Sequence, residues 1–270
     1  MIRIENVDVY GWEAAIRGMR NPMNSWDKSD TVDGCDYGCC ITCEEPEWRE
    51  CHGVNSRILV GRNDFELMKK LAAAGADHGK FLRMINVTLD IVAPLYWLKE
   101  FDTYKVGTVA NSCSTMHKLT EKEFVLDDFS HDQLMDDWSN MDDLVDYNGE
   151  YLNTPKEALE CVIHALNFYR KKYMDAKLKP MKEESKRKEV MDRYWWQMIQ
   201  LLPSSYNQRR TVQLNYQVLK AMYNARRNHK LDEWREFCKW IEALPYSELI
   251  TGKECEQNGR QESDASGQGS

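Results

Sequence analysis

The chain has 270 residues, 42% hydrophobic and 30% charged, with nine Trp and thirteen Tyr to furnish a core and a formal net charge of −8. That acidic balance excludes a general grip on duplex nucleic acid, which needs a basic face, and no apolar run approaches the roughly 20 residues of a membrane span. The opening MIRIENVDVYGWEAA has neither the basic start nor the continuous apolar core of a signal peptide, so a cytoplasmic protein of bacterial, phage or host-cell origin is expected.

Residues 2–9 (IRIENVDV) read as a strand whose spacing slips by one in the middle, and GWEAAIRGMR as a short helix. Residues 21–60 are rich in Asn, Asp, Gly and Cys and read as loop. Helical spacing runs from Asp64 to Ala74, with Asn63 as the expected cap and Gly75 as the stop. Residues 84–92 (MINVTLDIV) are β-rich, with Ile85, Val87, Leu89 and Ile91 on one face. Pro94 opens a helix, PLYWLKEF, where its missing N–H costs nothing. The loop DTYKVGTVANSCSTMH, Asp102 to His117, is small, polar and almost uncharged. Residues 119–150 are strongly acidic and read as a peripheral insertion, irregular or a short helix.

Thr154, Pro155 and Glu157 form a capping box ahead of a helix with Leu159, Val162, Ile163, Leu166 and Tyr173 on one side. The charged stretch LKPMKEESKRKE leads into a further helix, VMDRYWWQMIQLL, ended by Pro203. Residues 211–227 and 231–243 read as two more amphipathic helices, and residues 251–270 as a disordered tail. No internal repeat is present. The whole reads as one α+β domain over residues 1–250, with a small sheet and several long helices.

Nine Cys is an odd number, which excludes a fully paired disulfide framework. The loop over residues 33–52 carries Cys40, Cys43, Cys51 and His52, four soft ligands that would suit a structural zinc. The spacing is not that of a standard finger, so plain reduced thiols are the other reading. A redox pair at Cys40 and Cys43 is disfavoured, since no helix N-terminus is evident there to lower a thiol pKa.

Two segments together resemble the flavin-dependent thymidylate synthases. His78, the strand GKFLRMINVTLDIV, Ala93-Pro94 and LYWLKEFD reproduce the approach to that family's signature loop, of the form R-H-R-x-x-S-x-N-E-x-S-x-R-Y. Without a gap, the signature falls on Thr103 through Met116. The second segment runs from Leu202-Pro203 through Thr211-Val212, Asn215 and Leu219 to Arg226, then Glu233 and Arg235, and matches the family's L-P, T-V-N-A-R-S-L and L-R elements. Pro245-Tyr246 stands where the family commonly has Pro-Trp. The resemblance covers about half the chain.

It implies a homotetramer with active sites between subunits, and conversion of dUMP to dTMP with reduced FAD as hydride source, methylenetetrahydrofolate as carbon donor and NADPH as reductant. Arg226 matches the Arg that faces and activates the pyrimidine. His78, Lys105, Thr108 and Asn215 are the expected flavin contacts; Cys113, Thr115, Gln217 and Arg226 are the expected substrate contacts. The signature is worn. Thr103 and Tyr104 replace Arg and His, Lys105 replaces Arg, Ala110-Asn111 replaces Asn-Glu, and Thr115 stands where the family grips the nucleotide phosphate with Arg. Gln217 and Ile199 stand at two further Arg positions. Arg grips phosphate with a planar fork that none of these residues supplies. Lys118, Arg209, Arg210 and Arg227 are the nearby cations that would have to replace it. The other reading is a descendant without catalysis, acting as a nucleotide-binding or structural interaction protein.

Overall fold

The computed structural model describes residues 2–33, 58–114, 118–137, 154–179 and 183–253. Its centre is a four-stranded antiparallel sheet in the order β1-β4-β6-β5. β1 (Arg3–Tyr10) lies beside β4 (Asn86–Pro94), β4 beside β6 (Asn207–Asn215), and β6 beside the short edge strand β5 (Val109–Ser112). The slip seen in the first strand is a register shift between Glu5 and Asp8, with Asn6 at φ 52°. A two-residue pair, β2 (Val32–Asp33) and β3 (Ile58–Leu59), sits apart.

One face of the sheet is apolar and covered. Val9 of β1, Val87, Leu89 and Ile91 of β4, and Val212 and Leu214 of β6 are all buried in the main core. The core is completed by α1 (Trp12–Arg20), α2 (Arg62–Ala73), α3 (Leu95–Phe101), α6 (Tyr216–Arg226), α7 (Asp232–Glu242) and α8 (Glu248–Thr251). Trp97 is fully buried there, 4.7 Å from Trp234 and 5.2 Å from Phe101 between ring centres. The other face is polar: Asp90 accepts from Thr211, from Arg209 and from Asn6. This is the usual division of an antiparallel sheet with one face on the core.

A second, smaller core lies where α4 (Pro155–Leu178) packs against α5 (Glu184–Leu201). It takes in Leu119, Phe124 and Phe129, all buried. The beginning of the acidic segment is therefore structural, not peripheral: its aromatics fill the gap between the helix pair and Tyr206. The acidic stretch from 138 to 150 lies outside the described residues.

Several local readings are corrected. Residues 211–227 are not one helix: Thr211–Asn215 complete β6, and α6 starts at Tyr216 with Asn215 as its cap, the Asn215 side chain accepting from Val218 N. The helix α2 starts at Arg62, not at an Asn63 cap. Its free N–H groups at Asn63 and Asp64 are taken by the Asp30 carboxylate, a cap supplied from 33 residues away in sequence. Pro94 is the last residue of β4 and precedes the helix, with ψ 147°. The charged stretch before α5 belongs partly to that helix, which begins at Glu184. The Thr154 capping box forms as expected.

Candidate functional site

The worn signature loop runs along α6. Lys105 and Thr108 bracket a tight turn closed by a Thr108 N to Lys105 O bond of 3.4 Å, with Gly107 at φ 81°. That conformation and the close approach both call for glycine: a Cβ there would stand 2.9 Å from Asn215 Nδ2 and 3.2 Å from Val218 Cγ2. The turn that holds Lys105 and Thr108 thus presses its Gly107 against Asn215 at the N-terminal end of α6. Thr108 Oγ1 is buried with no hydrogen-bond partner among the described residues. The orphaned hydroxyl is a donor left for a bound group such as a hydrogen-bonding ring. His78 is exposed at the turn into the 3-10 segment Gly79–Arg83, which packs against α6.

At the other end of α6 stands Arg226, and it is already engaged. Its Nη1 donates to Glu100 Oε2 at 2.7 Å and its Nε to Tyr104 Oη at 3.1 Å. The guanidinium lies 4.9 Å from the Trp234 ring centre and 5.9 Å from that of Tyr104. Trp234 Nε1 donates to the same Glu100 oxygen at 3.0 Å, and His229 Nε2 is 3.5 Å from it. Arg226 sits in an acidic and aromatic box. It is about 16 Å along the helix axis from Asn215, at about 1.5 Å per residue. Arg226 and Asn215 therefore stand at opposite ends of α6. Glu100 and Trp234 had no sequence signal for this role: the Glu100 to Arg226 contact spans 126 residues.

The end of the loop is pinned to β6. Cys113 N donates to Arg209 O, and Gln208 Nε2 donates to Cys113 O, both at 2.8 Å. Beside it opens a cleft of about 520 Å³, walled in part by Cys113, Ser114, Lys118, Lys122, Tyr206 and Arg209. Each of its cations has a carboxylate neighbour. Lys118 pairs with Glu121 at 2.5 Å, Lys122 with Asp128, and Arg209 with Asp90 at 2.8 Å. Burial pushes the Tyr206 phenol up, with Asp128 adding to the shift. Gln217 is half-buried on α6, and Ile199 packs in the second core, which gives that Arg position a purely apolar job. Arg210 is tied to Asp102 at 2.6 Å.

Thr115, Cys40, Cys43, Cys51 and His52, and the tail from residue 254, lie outside the described residues. Among the described residues no group of His, Cys, Asp or Glu is arranged to hold a metal, and no helix is long and apolar enough to cross a membrane.

A small antiparallel sheet with one helix-covered face defines the class as α+β, and structural comparison makes it a thymidylate synthase-like fold. The chain is similar in structure to thymidylate synthase X (ThyX) from Helicobacter pylori with FAD and dUMP, at TM-score 0.54 and 16% identity over 93% of this chain and 97% of that one. A second structure of that flavin-dependent enzyme, also complexed with FAD and dUMP, gives TM-score 0.55 and 16% identity over 92% and 97%. A UMP/dUMP methylase, PolB from Streptomyces cacaoi, bound with 5-Br dUMP, follows at TM-score 0.49 and 15% identity over 93% and 95%. No protein-family model matches the sequence, and no curated protein matches it in sequence. The protein has the fold of the flavin-dependent thymidylate synthases over most of its length.

Proposed function

We propose that the protein is a divergent flavin-dependent methyltransferase of pyrimidine nucleotides, acting on dUMP. The observation that carries this is the cleft at Cys113: where the signature has lost its phosphate-gripping Arg, Lys118, Lys122 and Arg209 line the same loop end. Their ion pairs with Glu121, Asp128 and Asp90 involve partly exposed side chains. Such exposed pairs are screened by solvent and weak, so a phosphate dianion can displace them.

In this reading Lys105, Thr108, Asn215 and His78 hold the flavin, with the orphaned Thr108 hydroxyl donating to a ring acceptor. Reduced FAD supplies the hydride, with methylenetetrahydrofolate as carbon donor and NADPH as reductant. Arg226 faces the pyrimidine after leaving Glu100, and its fixed positive charge stabilises negative charge developing on the ring. Cys113 and Gln217 border the nucleotide. Assembly into a homo-oligomer with sites between subunits goes with this reading.

The engaged state of Arg226 favours a second reading, in which the protein binds the nucleotide without converting it. The test is direct. Purified protein should carry or bind FAD, seen by its visible absorbance, and should oxidise reduced FAD in a dUMP-dependent way that Arg226→Ala abolishes. If FAD neither co-purifies nor binds at tens of micromolar, the enzyme reading fails. If FAD and dUMP both bind and no turnover occurs, the binding reading stands.

A further inference from the structure

Arg226 is held by residues from two different helices: Glu100 of α3 and Trp234 of α7. Its placement therefore depends on how those helices are joined. Trp97 and Phe101 of α3 pack on Trp234 and Phe237 of α7. That brings the helices together, but apolar burial has no direction. Hydrogen bonds supply the direction, and two of them run between α3 and α7.

In one, Trp234 Nε1 donates to Glu100 Oε2 at 3.0 Å, the same oxygen that receives Arg226 Nη1. In the other, Tyr96 Oη donates to Glu233 Oε1. Tyr96 and Glu100 are four residues apart on α3 and so share a face. Glu233 and Trp234 are consecutive at the start of α7. The two bonds are neighbouring rungs of opposite polarity: α3 donates in one, α7 in the other. Glu233 is only 7% exposed, and among the described residues its carboxylate meets two hydroxyls and no cation. The second hydroxyl, Ser130 Oγ, lies 3.4 Å from Glu233 Oε1 and 3.0 Å from Tyr96 Oη. Burial, and then the Glu233 carboxylate, pushes the Tyr96 phenol up to about 12, so it stays a donor at neutral pH. A phenol donating to a buried carboxylate is a charge-assisted bond, and removing the donor leaves a buried charge under-satisfied. α7 has no side-chain cap at Leu231, so its first turn depends on contacts of this kind.

We propose that Tyr96 and Glu233 are positioning residues for Arg226: their hydrogen bond fixes the first turn of α7 on α3, and so fixes the Trp234 and Glu100 groups that hold the guanidinium. The proposal rests on the reading of Arg226 as the group that faces the pyrimidine, but the first of its two readouts does not need that reading.

The first readout is the rate at which phenylglyoxal modifies Arg226 in the full chain, followed by mass spectrometry. Tyr96→Phe keeps the ring and deletes the donor. It should raise the Arg226 rate at least fivefold and leave exposed Arg17 unchanged. Val9→Ala, which opens the core in β1 outside both helices, should not raise it. Glu233→Gln still accepts from Tyr96 and should label like the unaltered protein, whereas Glu233→Ala should label like Tyr96→Phe. The second readout is dUMP-dependent oxidation of reduced FAD. Tyr96→Phe should lower kcat at least fivefold without raising KM, because Lys118, Lys122 and Arg209 are untouched. Equal Arg226 labelling in Tyr96→Phe and the unaltered protein would overturn the proposal. So would an equal rise in Val9→Ala, or faster labelling with unchanged kcat. If the protein binds no FAD, the enzyme reading fails and the labelling alone decides the proposal, so the two failures are distinct. If Tyr96→Phe does not fold, Glu233→Ala takes its place in both readouts.

Discussion

Replacing Glu100 with Gln should make the protein less stable and a better binder of dUMP. Glu100 Oε2 receives Arg226 Nη1 at 2.7 Å and Trp234 Nε1 at 3.0 Å. Gln keeps the shape and an accepting oxygen but removes the charge. Hydrogen bonds to charged groups contribute about 1.5–3 kcal/mol and neutral ones about 0.5–1.5 kcal/mol. The side chains are 36% exposed at Glu100 and 21% at Arg226, so screening places the difference at the low end, about 1 kcal/mol. For a domain of this size that is about 2–4 °C in melting temperature. If Arg226 must leave Glu100 to meet the pyrimidine, the same 1 kcal/mol is withheld from binding, and its release should tighten dUMP about fivefold. Differential scanning fluorimetry and dUMP titration calorimetry, done on the same preparation, read both effects. A variant that melts lower yet binds dUMP no better, or worse, would refute the idea that Glu100 competes with substrate.

Asp64→Asn should cost about 3–5 kcal/mol in urea unfolding, because it leaves Arg20 buried without its charge partner; the two side chains are 0% and 5% exposed and 2.6 Å apart. Burial alone would raise the Asp64 carboxyl, but hydrogen bonds from Ser29, Thr31 and Arg20 outweigh it and hold the group below its ordinary value. Its contribution is therefore complete above the unfolded carboxylate pKa of about 3.9 and is lost as pH falls through the folded value, so the gap between Asp64→Asn and the unaltered protein should close in acid. Gly107→Ala should cost about 1–2 kcal/mol of stability, from the left-handed backbone and the 2.9 Å approach to Asn215, and should weaken FAD binding measured by fluorescence quenching. Lys118→Ala with Lys122→Ala should weaken dUMP binding about tenfold and flatten its salt dependence, with little change in melting temperature because both pairs are partly exposed.

Much of the fold was legible because the signals are local. The alternation of Ile85, Val87, Leu89 and Ile91, the Thr154 capping box and the amphipathic face of α7 each depend on residues within a few positions of one another, and each forms as read. The segment over 211–227 misleads for the same reason. Val212, Leu214, Tyr216, Val218 and Leu219 satisfy a helical pattern when joined, and only pairing with β4 and β5 makes the first part a strand. That pairing moves Asn215 from a helix interior to a helix cap.

The candidate site divides along the same line. The sequence by itself determined that a loop of signature-like order precedes a helix bearing Asn215 and Arg226, and that its arginines are gone; residue type and spacing along the chain are enough for that. Only the tertiary structure decided that Gly107 presses the loop onto Asn215, that Arg226 is held by Glu100 and Trp234, and that Lys118 and Lys122 stand beside Cys113. Those contacts join residues whose nearness depends on how the sheet and helices pack, and ion pairs leave no periodic trace in the chain that makes them.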